Sequence, residues 1–193
     1  MFALVLGVTI GMLAMIPLGP LSMTIIGIGA EHGPERGMQA AFGVVGADVV
    51  LGATAVSLVS AGKVLPGSVF SGLQWASAVA VVGLGAALLV RAGQLRRLVG
   101  RIRRPALTLF VMTAASPAIG TWVALLLASP FTGRARSLSA FAIGIFMASL
   151  VWHPALGAGA GLLGPRLSER RLLLLARIGG VSMAAMGVGL LVA

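Results

Sequence analysis

The sequence predicts an all-α integral membrane protein of about six transmembrane helices, arranged as two inverted three-helix halves. Hydrophobic residues make up 59% of the chain and charged residues only 9%, and the mean hydropathy is +1.08. A soluble domain has roughly a quarter of its residues charged. The apolar residues also form uncharged runs of about 18 residues or more, the length of a membrane-spanning helix. These runs are continuous rather than alternating in polarity, which favours helices over membrane strands.

One transmembrane domain is predicted for residues 1–193, with a first half in residues 1–90 and a second half in residues 105–193. An arginine-rich cytoplasmic connector, residues 91–104, separates the halves. The predicted spans are residues 2–30, 37–61, 64–90, 105–130, 138–163 and 172–193.

The first span of each predicted half contains proline, Pro17 and Pro20 in one half and Pro117 in the other. Because each half has an odd number of spans, the two halves would have opposite orientations in the membrane. Inverted-repeat transporters have this pattern, with a substrate site near the midplane between broken helices. The sequence therefore predicts that the first helix of each half is broken at proline.

Basic residues between the runs orient the predicted bundle. Connectors on one side hold ten bases, whereas the opposite connectors hold three, Lys63, Arg134 and Arg136. The positive-inside rule then predicts a multi-pass protein of a bacterial-type inner (plasma) membrane with both termini outside. The net charge of +10 is thus a topology signal and does not indicate a nucleic-acid partner. The arginine-rich connector is expected to anchor this topology, and the alternative is a site for anionic lipids on the inner face.

Four polar or irregular features are predicted to lie at one depth. A helix rises about 1.5 Å per residue, which places Pro20, Asp48, Pro117 and His153 about 15–18 Å from the inner ends of their spans. That depth is the middle of a hydrocarbon core of about 30 Å. A half-helix beginning at Pro20 would direct backbone N–H groups and a positive dipole end at a substrate carboxylate. The alternative is a packing kink, which we favour for Pro117 taken alone.

Asp48 is the most informative residue, because a carboxylate at mid-membrane normally faces the bundle interior with a partner or a proton. It is expected to bind a substrate ammonium group or to carry an exchanged proton, and a structural carboxyl group is the alternative. His153 is the second candidate for proton coupling, and a neutral structural histidine is equally compatible with the sequence. The predicted substrate-binding residues are Pro17, Gly19, Pro20, Thr24, Asp48, Ser116, Pro117 and Trp152.

The inventory of reactive side chains is small. The chain has no cysteine, two histidines and four carboxylates, too few for a ligand-rich metal cage. Since no nucleophile–base pair has supporting spacing either, we expect no catalytic residue, no enzyme activity and no cofactor. The small-xxx-small spacing of Gly157 and Gly161 is expected to serve internal helix packing, with a homodimer interface as the alternative.

Three motifs resemble the LysE/RhtB family of amino-acid exporters. Where that family has Pro-Gly-Pro in its first span, this chain has Pro17-Leu18-Gly19-Pro20. Where the family ends a glycine-rich stretch in Gly-Asp, this chain has Gly46-Ala47-Asp48, and Ser116-Pro117 stands in place of an Asn-Pro. Length and span count match as well, so the resemblance covers essentially the whole chain. It implies proton-exchange efflux of a small amino acid or related metabolite, and the departures from the motifs leave the substrate open.

Two other functions remain as alternatives. A cation (metal ion) exporter of the same superfamily would use Asp48 and freed carbonyls as ion ligands, although hard divalent ions usually take several oxygen ligands. A non-transporting membrane scaffold would leave Asp48 unexplained. The predicted partners are therefore a small-molecule substrate, expected to be an amino acid, and the lipid bilayer.

Overall fold

The computed structural model describes residues 1–15, 19–61, 67–91, 100, 102–115, 118–164 and 168–192. All regular secondary structure in these ranges is helical, which confirms the predicted all-α class. The helices are α1 (Phe2–Met15), α2 (Pro20–His32), α3 (Pro34–Ser60), α4 (Gly67–Arg91), α5 (Pro105–Ala114), α6 (Ala118–Leu127), α7 (Ala135–Leu163) and α8 (Glu169–Val192).

Two described helices, α3 and α7, are long and apolar enough to cross a membrane. The pair formed by Pro105–Ala114 and Ile119–Leu127, bent by 58°, makes a third if it is one span. Shorter apolar helical segments lie at Phe2–Met15, Ala78–Ala87 and Leu173–Gly189. The described part of the chain is therefore compatible with membrane insertion through two or three helices by length and composition.

The first predicted span consists of two helices. α1 ends at Met15, and α2 begins at Pro20 after an extended Gly19 (φ −71°, ψ 177°). A proline at the first helical position costs no hydrogen bond, because the first N–H groups of a helix have no intrahelical acceptor. Pro17 lies outside the described residues.

The fourth predicted span likewise consists of two helices. α5 ends at Ala114 and α6 begins at Ala118. Ser116 and Pro117, which the sequence placed at this break, lie outside the described residues. Most of the arginine-rich connector, residues 92–99 and 101, also lies outside them.

Two long helices form the centre of the bundle. α3 and α7 pack against each other, α1 and α2 pack along α7, and α5 and α6 pack along α3. α4 and α8 form an antiparallel pair that packs on α2. Each broken helix pair therefore packs mainly on the long helix from the other end of the sequence.

Contacts at glycines show how the helices run relative to one another and where they approach most closely. In α1, Gly7 meets Gly144 of α7 and Gly11 meets Ala148, so the two helices run parallel. A Cβ atom on Gly157 of α7 would lie 2.5 Å from the carbonyl carbon of Gly37 in α3. Since that distance is far below van der Waals contact, α3 and α7 touch through their backbones at this point.

The Gly157/Gly161 spacing is part of the same internal packing. Gly157 faces Gly29 and Gly37, and Gly161 faces Pro34 at the turn between α2 and α3. Gly33 in that turn has a φ of 89°, a conformation that residues with a side chain rarely adopt. Both glycines of the small-xxx-small pair are therefore covered by other helices of the same chain.

The two ends of the bundle differ in chemistry. At the aromatic end, the Phe131 ring packs on Phe2 and Phe141, with ring centroids 6.1 and 5.8 Å apart. At the basic end, the Arg36 guanidinium donates a 3.3 Å hydrogen bond to the carbonyl oxygen of Arg103. Between the ends, large apolar side chains are exposed on α3, α4, α7 and α8; they include Phe42, Val49, Val50, Trp75, Val79, Ile143, Val151, Ile178 and Val181.

Candidate functional site: a polar network between two helix breaks

A carboxylate, a hydroxyl and an imidazole meet where α3 crosses α7. Asp48 lies on the buried face of α3 and is 9% exposed. Ser149 Oγ on α7 donates a 2.6 Å hydrogen bond to Asp48 Oδ2. His153, one turn further along α7, places its Nδ1 atom 3.0 Å from the same Ser149 oxygen. The structure thus joins the two residues that the sequence singled out for proton coupling, through a serine.

The position of His153 follows from helical spacing. Residues four apart in an α-helix lie on one face, so the side chains of Ser149 and His153 are neighbours. His153 Nδ1 also lies 3.2 Å from the backbone carbonyl oxygen of Ser149. Both side chains are buried, with His153 7% and Ser149 0% exposed.

Trp122 of α6 also lies close to Asp48. Its indole N–H interacts favourably with the Asp48 carboxylate. The six-membered part of the Trp122 ring lies over Gly52, one turn beyond Asp48, where a Cβ atom would be 3.1 Å from the ring. Gly52 therefore leaves the space that lets the indole approach the carboxylate.

The break between α1 and α2 lies level with this network. Gly11 of α1 meets Ala148, so Met15, one turn later on a parallel helix, is level with about Trp152. Gly29 of α2 meets Gly157, so the start of α2, nine residues earlier, is level with about Ala148. The two helix ends therefore face the turn of α7 that carries Ser149 and His153.

The break between α5 and α6 lies level with the other side of the network. Phe110 of α5 lies against Gly46 of α3, which places the end of α5 level with about Val50. Trp122 of α6 lies against Gly52, which places the start of α6 level with about Asp48. Both breaks therefore converge on the Asp48–Ser149 hydrogen bond.

Apolar clusters separate the network from both ends of the bundle. Toward the aromatic end lie Leu126, Leu138, Phe141 and Ile145. Toward the basic end lie buried apolar residues of α2, α3 and α5: Ile25, Ile28, Ala40, Ala41, Val44 and Leu109. The polar groups are thus enclosed in apolar surroundings, where an unpaired hydrogen-bonding group is costly.

The structure places the other predicted site residues as follows. Gly19 precedes α2 in an extended conformation, and Pro20 is the first residue of that helix. Thr24 is buried on α2. The indole nitrogen of Trp152, next to His153, is buried without a hydrogen-bond partner among the described residues. Pro17, Ser116 and Pro117 lie outside the described ranges.

Sequence reasoning missed Ser149. A serine in an apolar helix carries no charge signal, and this chain has many. The signal that could have found Ser149 is its position four residues before His153, which predicts that both side chains lie on one helix face. Trp122 was likewise not predicted as a partner of Asp48, because its contact depends on how α6 packs on α3.

No three His, Cys, Asp or Glu side chains converge in a way that could hold a metal ion within the described parts of the chain. A scan of protein-family models and searches of curated proteins and of solved structures gave no match to this chain.

Proposed function

We propose that the chain is a secondary transporter that exports a small amino acid or related metabolite across the inner membrane in exchange for protons. The observation that carries the proposal is the buried Asp48–Ser149–His153 network at the level of two helix breaks. Ionisable groups buried at membrane depth usually belong to substrate or proton pathways. Broken helices near the midplane are the usual location of substrate sites in secondary transporters.

The proposal takes the chain to cross the membrane six times, with α1–α2 and α5–α6 each forming one broken span. The helix directions support this arrangement, since α1 runs parallel to α7 and α4 antiparallel to α8, as alternate crossings require. The main helix contacts are also similar in the two proposed halves. The broken pair α1–α2 of the first half packs on α7 of the second, and the broken pair α5–α6 of the second half packs on α3 of the first.

Corresponding positions in the two proposed halves make corresponding contacts. Gly43 of α3 meets the carbonyl of Ala106 in α5, and Gly144 of α7 meets the carbonyl of Leu4 in α1. Gly43 and Gly144 are separated by 101 residues, the same separation as Asp48 and Ser149. An approximate two-fold relation between inverted halves accounts for both pairs. Asp48 and Ser149 would then be equivalent positions that meet at the axis.

The proposed orientation has the basic end in the cytoplasm and both termini outside. Arg36, Arg103 and Arg104 lie together at the basic end, and Arg36 is hydrogen-bonded to the Arg103 backbone. The positive-inside rule favours such a cluster on the cytoplasmic side, where anionic lipid headgroups are available. The aromatic end would face the outside.

Within the proposed site, Asp48 is assigned to the proton and the start of α2 to the substrate carboxylate. Asp48 is buried and accepts a hydrogen bond from Ser149, which links it to His153, so the proposal assigns it to the proton rather than to a substrate ammonium group. Among the described residues, no side chain caps the first N–H groups of α2, which follow Gly19. A helix start with unsatisfied N–H groups and a positive dipole end favours an anionic group.

Purified protein in liposomes tests the proposal. We expect counterflow of at least one labelled small amino acid, measured against liposomes that contain no protein. With a pH gradient, the same amino acid should be transported against its concentration gradient. If neither counterflow nor gradient-driven transport occurs for any amino acid of a complete set, the proposed function is wrong.

A pair of acid-to-amide substitutions tests the role of Asp48. Asp48→Asn removes the carboxylate but keeps an oxygen that can accept from Ser149, so we expect folding with loss of proton-driven transport. Glu35→Gln makes the same chemical change at an exposed residue near the basic end and should leave transport unchanged. Equal proton-driven transport by the two variants would refute the assignment of Asp48.

A further inference from the structure

The Ser149 hydroxyl oxygen lies within hydrogen-bond distance of both ionisable groups of the network. Its oxygen is 2.6 Å from Asp48 Oδ2 and 3.0 Å from His153 Nδ1. The serine is fully buried, so these contacts are sheltered from bulk solvent. The proposed function uses Asp48 and His153 but assigns nothing to the group between them.

When Asp48 is ionised, it can only accept, and the single hydroxyl hydrogen of Ser149 determines how the three groups are connected. Ser149 has one hydroxyl hydrogen, which it donates to Asp48. Its oxygen therefore acts as an acceptor toward His153 Nδ1. The second neighbour of Nδ1 is the Ser149 carbonyl oxygen, at 3.2 Å, which can only accept. Both contacts require the hydrogen on Nδ1, which leaves Nε2 as the ring atom that takes up a further proton.

We propose that Ser149 is the positioning residue through which a proton passes between His153 and Asp48. This inference rests on the proton exchange proposed above and deepens it. When His153 is doubly protonated and Asp48 is ionised, the Nδ1–H bond breaks and its proton joins the Ser149 oxygen. The original Ser149 O–H bond breaks in the same step, and its proton joins Asp48 Oδ2. Ser149 ends as a neutral hydroxyl, His153 as neutral imidazole with hydrogen on Nε2, and Asp48 as a neutral acid.

No other described ionisable group competes at this level. The helices packed around α7 are α1, α2, α3 and α6, and α1 and α6 contain no titratable side chain. Those of α2 and α3, apart from Asp48, are Glu31, His32, Glu35 and Arg36, exposed near the basic end. Among the described residues, the protonation states of Asp48 and His153 therefore report where the proton is.

Composition makes the relay observable by nuclear magnetic resonance in detergent micelles. Asp48 is the only aspartate, so ¹³C-labelled aspartate gives one carboxyl signal. His32→Gln leaves His153 as the only histidine, so ¹⁵N-labelled histidine gives one ring. With Asp48 ionised and the ring neutral, we expect the ring hydrogen on Nδ1. A ring hydrogen on Nε2 in that state would overturn the inference.

Transport by Ser149→Ala tests the function of the Ser149 hydroxyl. Alanine removes the hydroxyl without adding volume, so the helices should pack as before. Amino-acid counterflow, which needs no net proton movement, should stay within about twofold of wild type. Proton uptake coupled to export, followed with a pH-sensitive dye, should fall about a hundredfold, at the low end of the usual contribution of a positioned proton-transfer group.

Two further variants separate the relay from packing. Ser129→Ala removes another buried serine hydroxyl, one that donates to the Leu126 carbonyl oxygen at 2.7 Å, and should leave coupling unchanged. Ser149→Thr keeps a hydroxyl and should restore part of the coupling that alanine loses. Wild-type coupling in Ser149→Ala, or equal loss in alanine and threonine variants that both fold, would overturn the inference.

The experiment distinguishes failure of the relay from failure of the proposed function. Absence of counterflow in the wild-type protein contradicts the proposed export, and the position of the ring hydrogen then decides the relay by itself. Normal counterflow with unchanged coupling in Ser149→Ala contradicts the relay alone. If Ser149→Ala does not fold, the threonine variant and the position of the His153 ring hydrogen in the His32→Gln protein decide the relay.

Discussion

The backbone contact between α3 and α7 predicts a sharp difference between two alanine substitutions on one helix. At Gly157, a Cβ atom would lie 2.5 Å from the carbonyl carbon of Gly37 and 3.0 Å from the backbone nitrogen of Met38. At Gly159, two residues further along α7, a Cβ atom would meet nothing within 4 Å. Gly157→Ala should therefore force the helices apart, whereas Gly159→Ala should not.

Two contributions determine the change in stability expected for Gly157→Ala. Carbon atoms in contact prefer about 3.5–4.0 Å, so α3 and α7 must separate by about 1 Å to admit the Gly157→Ala methyl group. Overpacking of this kind costs about 1–3 kcal/mol. Alanine also gains about 0.8–1.0 kcal/mol of helix propensity over glycine, but this gain is common to both substitutions. The difference between the variants therefore isolates the overpacking cost, about 1–3 kcal/mol.

Thermal unfolding of the detergent-solubilised protein, followed by far-ultraviolet circular dichroism, measures this difference. In a chain of this size about 1 kcal/mol corresponds to roughly 2–4 °C in Tm. We expect Gly157→Ala to melt roughly 2–12 °C below Gly159→Ala, and Gly159→Ala to melt at or slightly above wild type. Equal melting temperatures for the two variants would show that α3 and α7 do not approach through these backbones.

Two other substitutions follow from the network and the aromatic end. Trp122→Phe keeps a ring over Gly52 but removes the indole N–H that interacts with Asp48, which should cost about 0.5–1.5 kcal/mol and weaken proton coupling; Trp75→Phe, at a 58% exposed site, should change neither. Phe131→Ala empties a buried ring site and should lower stability by about 3–5 kcal/mol. Phe42→Ala, at a 54% exposed site, should cost much less in the same unfolding measurement. Unchanged proton coupling in Trp122→Phe, or equal losses in the two phenylalanine variants, would contradict these expectations.

Helices and their interruptions were predictable because both depend on local sequence. Long apolar runs indicate helices, and Pro20 can begin a helix but cannot continue one. α2 accordingly begins at Pro20, and the long spans predicted around Asp48 and His153 correspond to α3 and α7. Whether the chain crosses the membrane six times depends on the bilayer as well as on the helices, and that number stays a prediction.

The candidate site was predictable only where a residue is anomalous by itself. Asp48 stands out because a carboxylate within an apolar run is expensive, and His153 stands out as a titratable group at similar depth. Ser149 and Trp122 are ordinary residues of apolar helices, and they become partners of Asp48 only when α7 and α6 pack on α3. Gly52 shows the same limit, since its role is to leave room for a ring from elsewhere in the sequence.

The location of the Asp48–Ser149 bond between the two proposed halves connects protonation to movement. Alternating access requires one half to move against the other, and Asp48 and Ser149 belong to different halves. A hydrogen bond to a charged group is worth about 1.5–3 kcal/mol, which corresponds to roughly a ten- to hundredfold change in an equilibrium constant. In the proposed transporter, a proton that neutralises Asp48 would weaken this bond and so favour the arrangement in which the halves have moved. The proton would then have the unequal affinity for two states that any ligand needs to shift a conformational equilibrium.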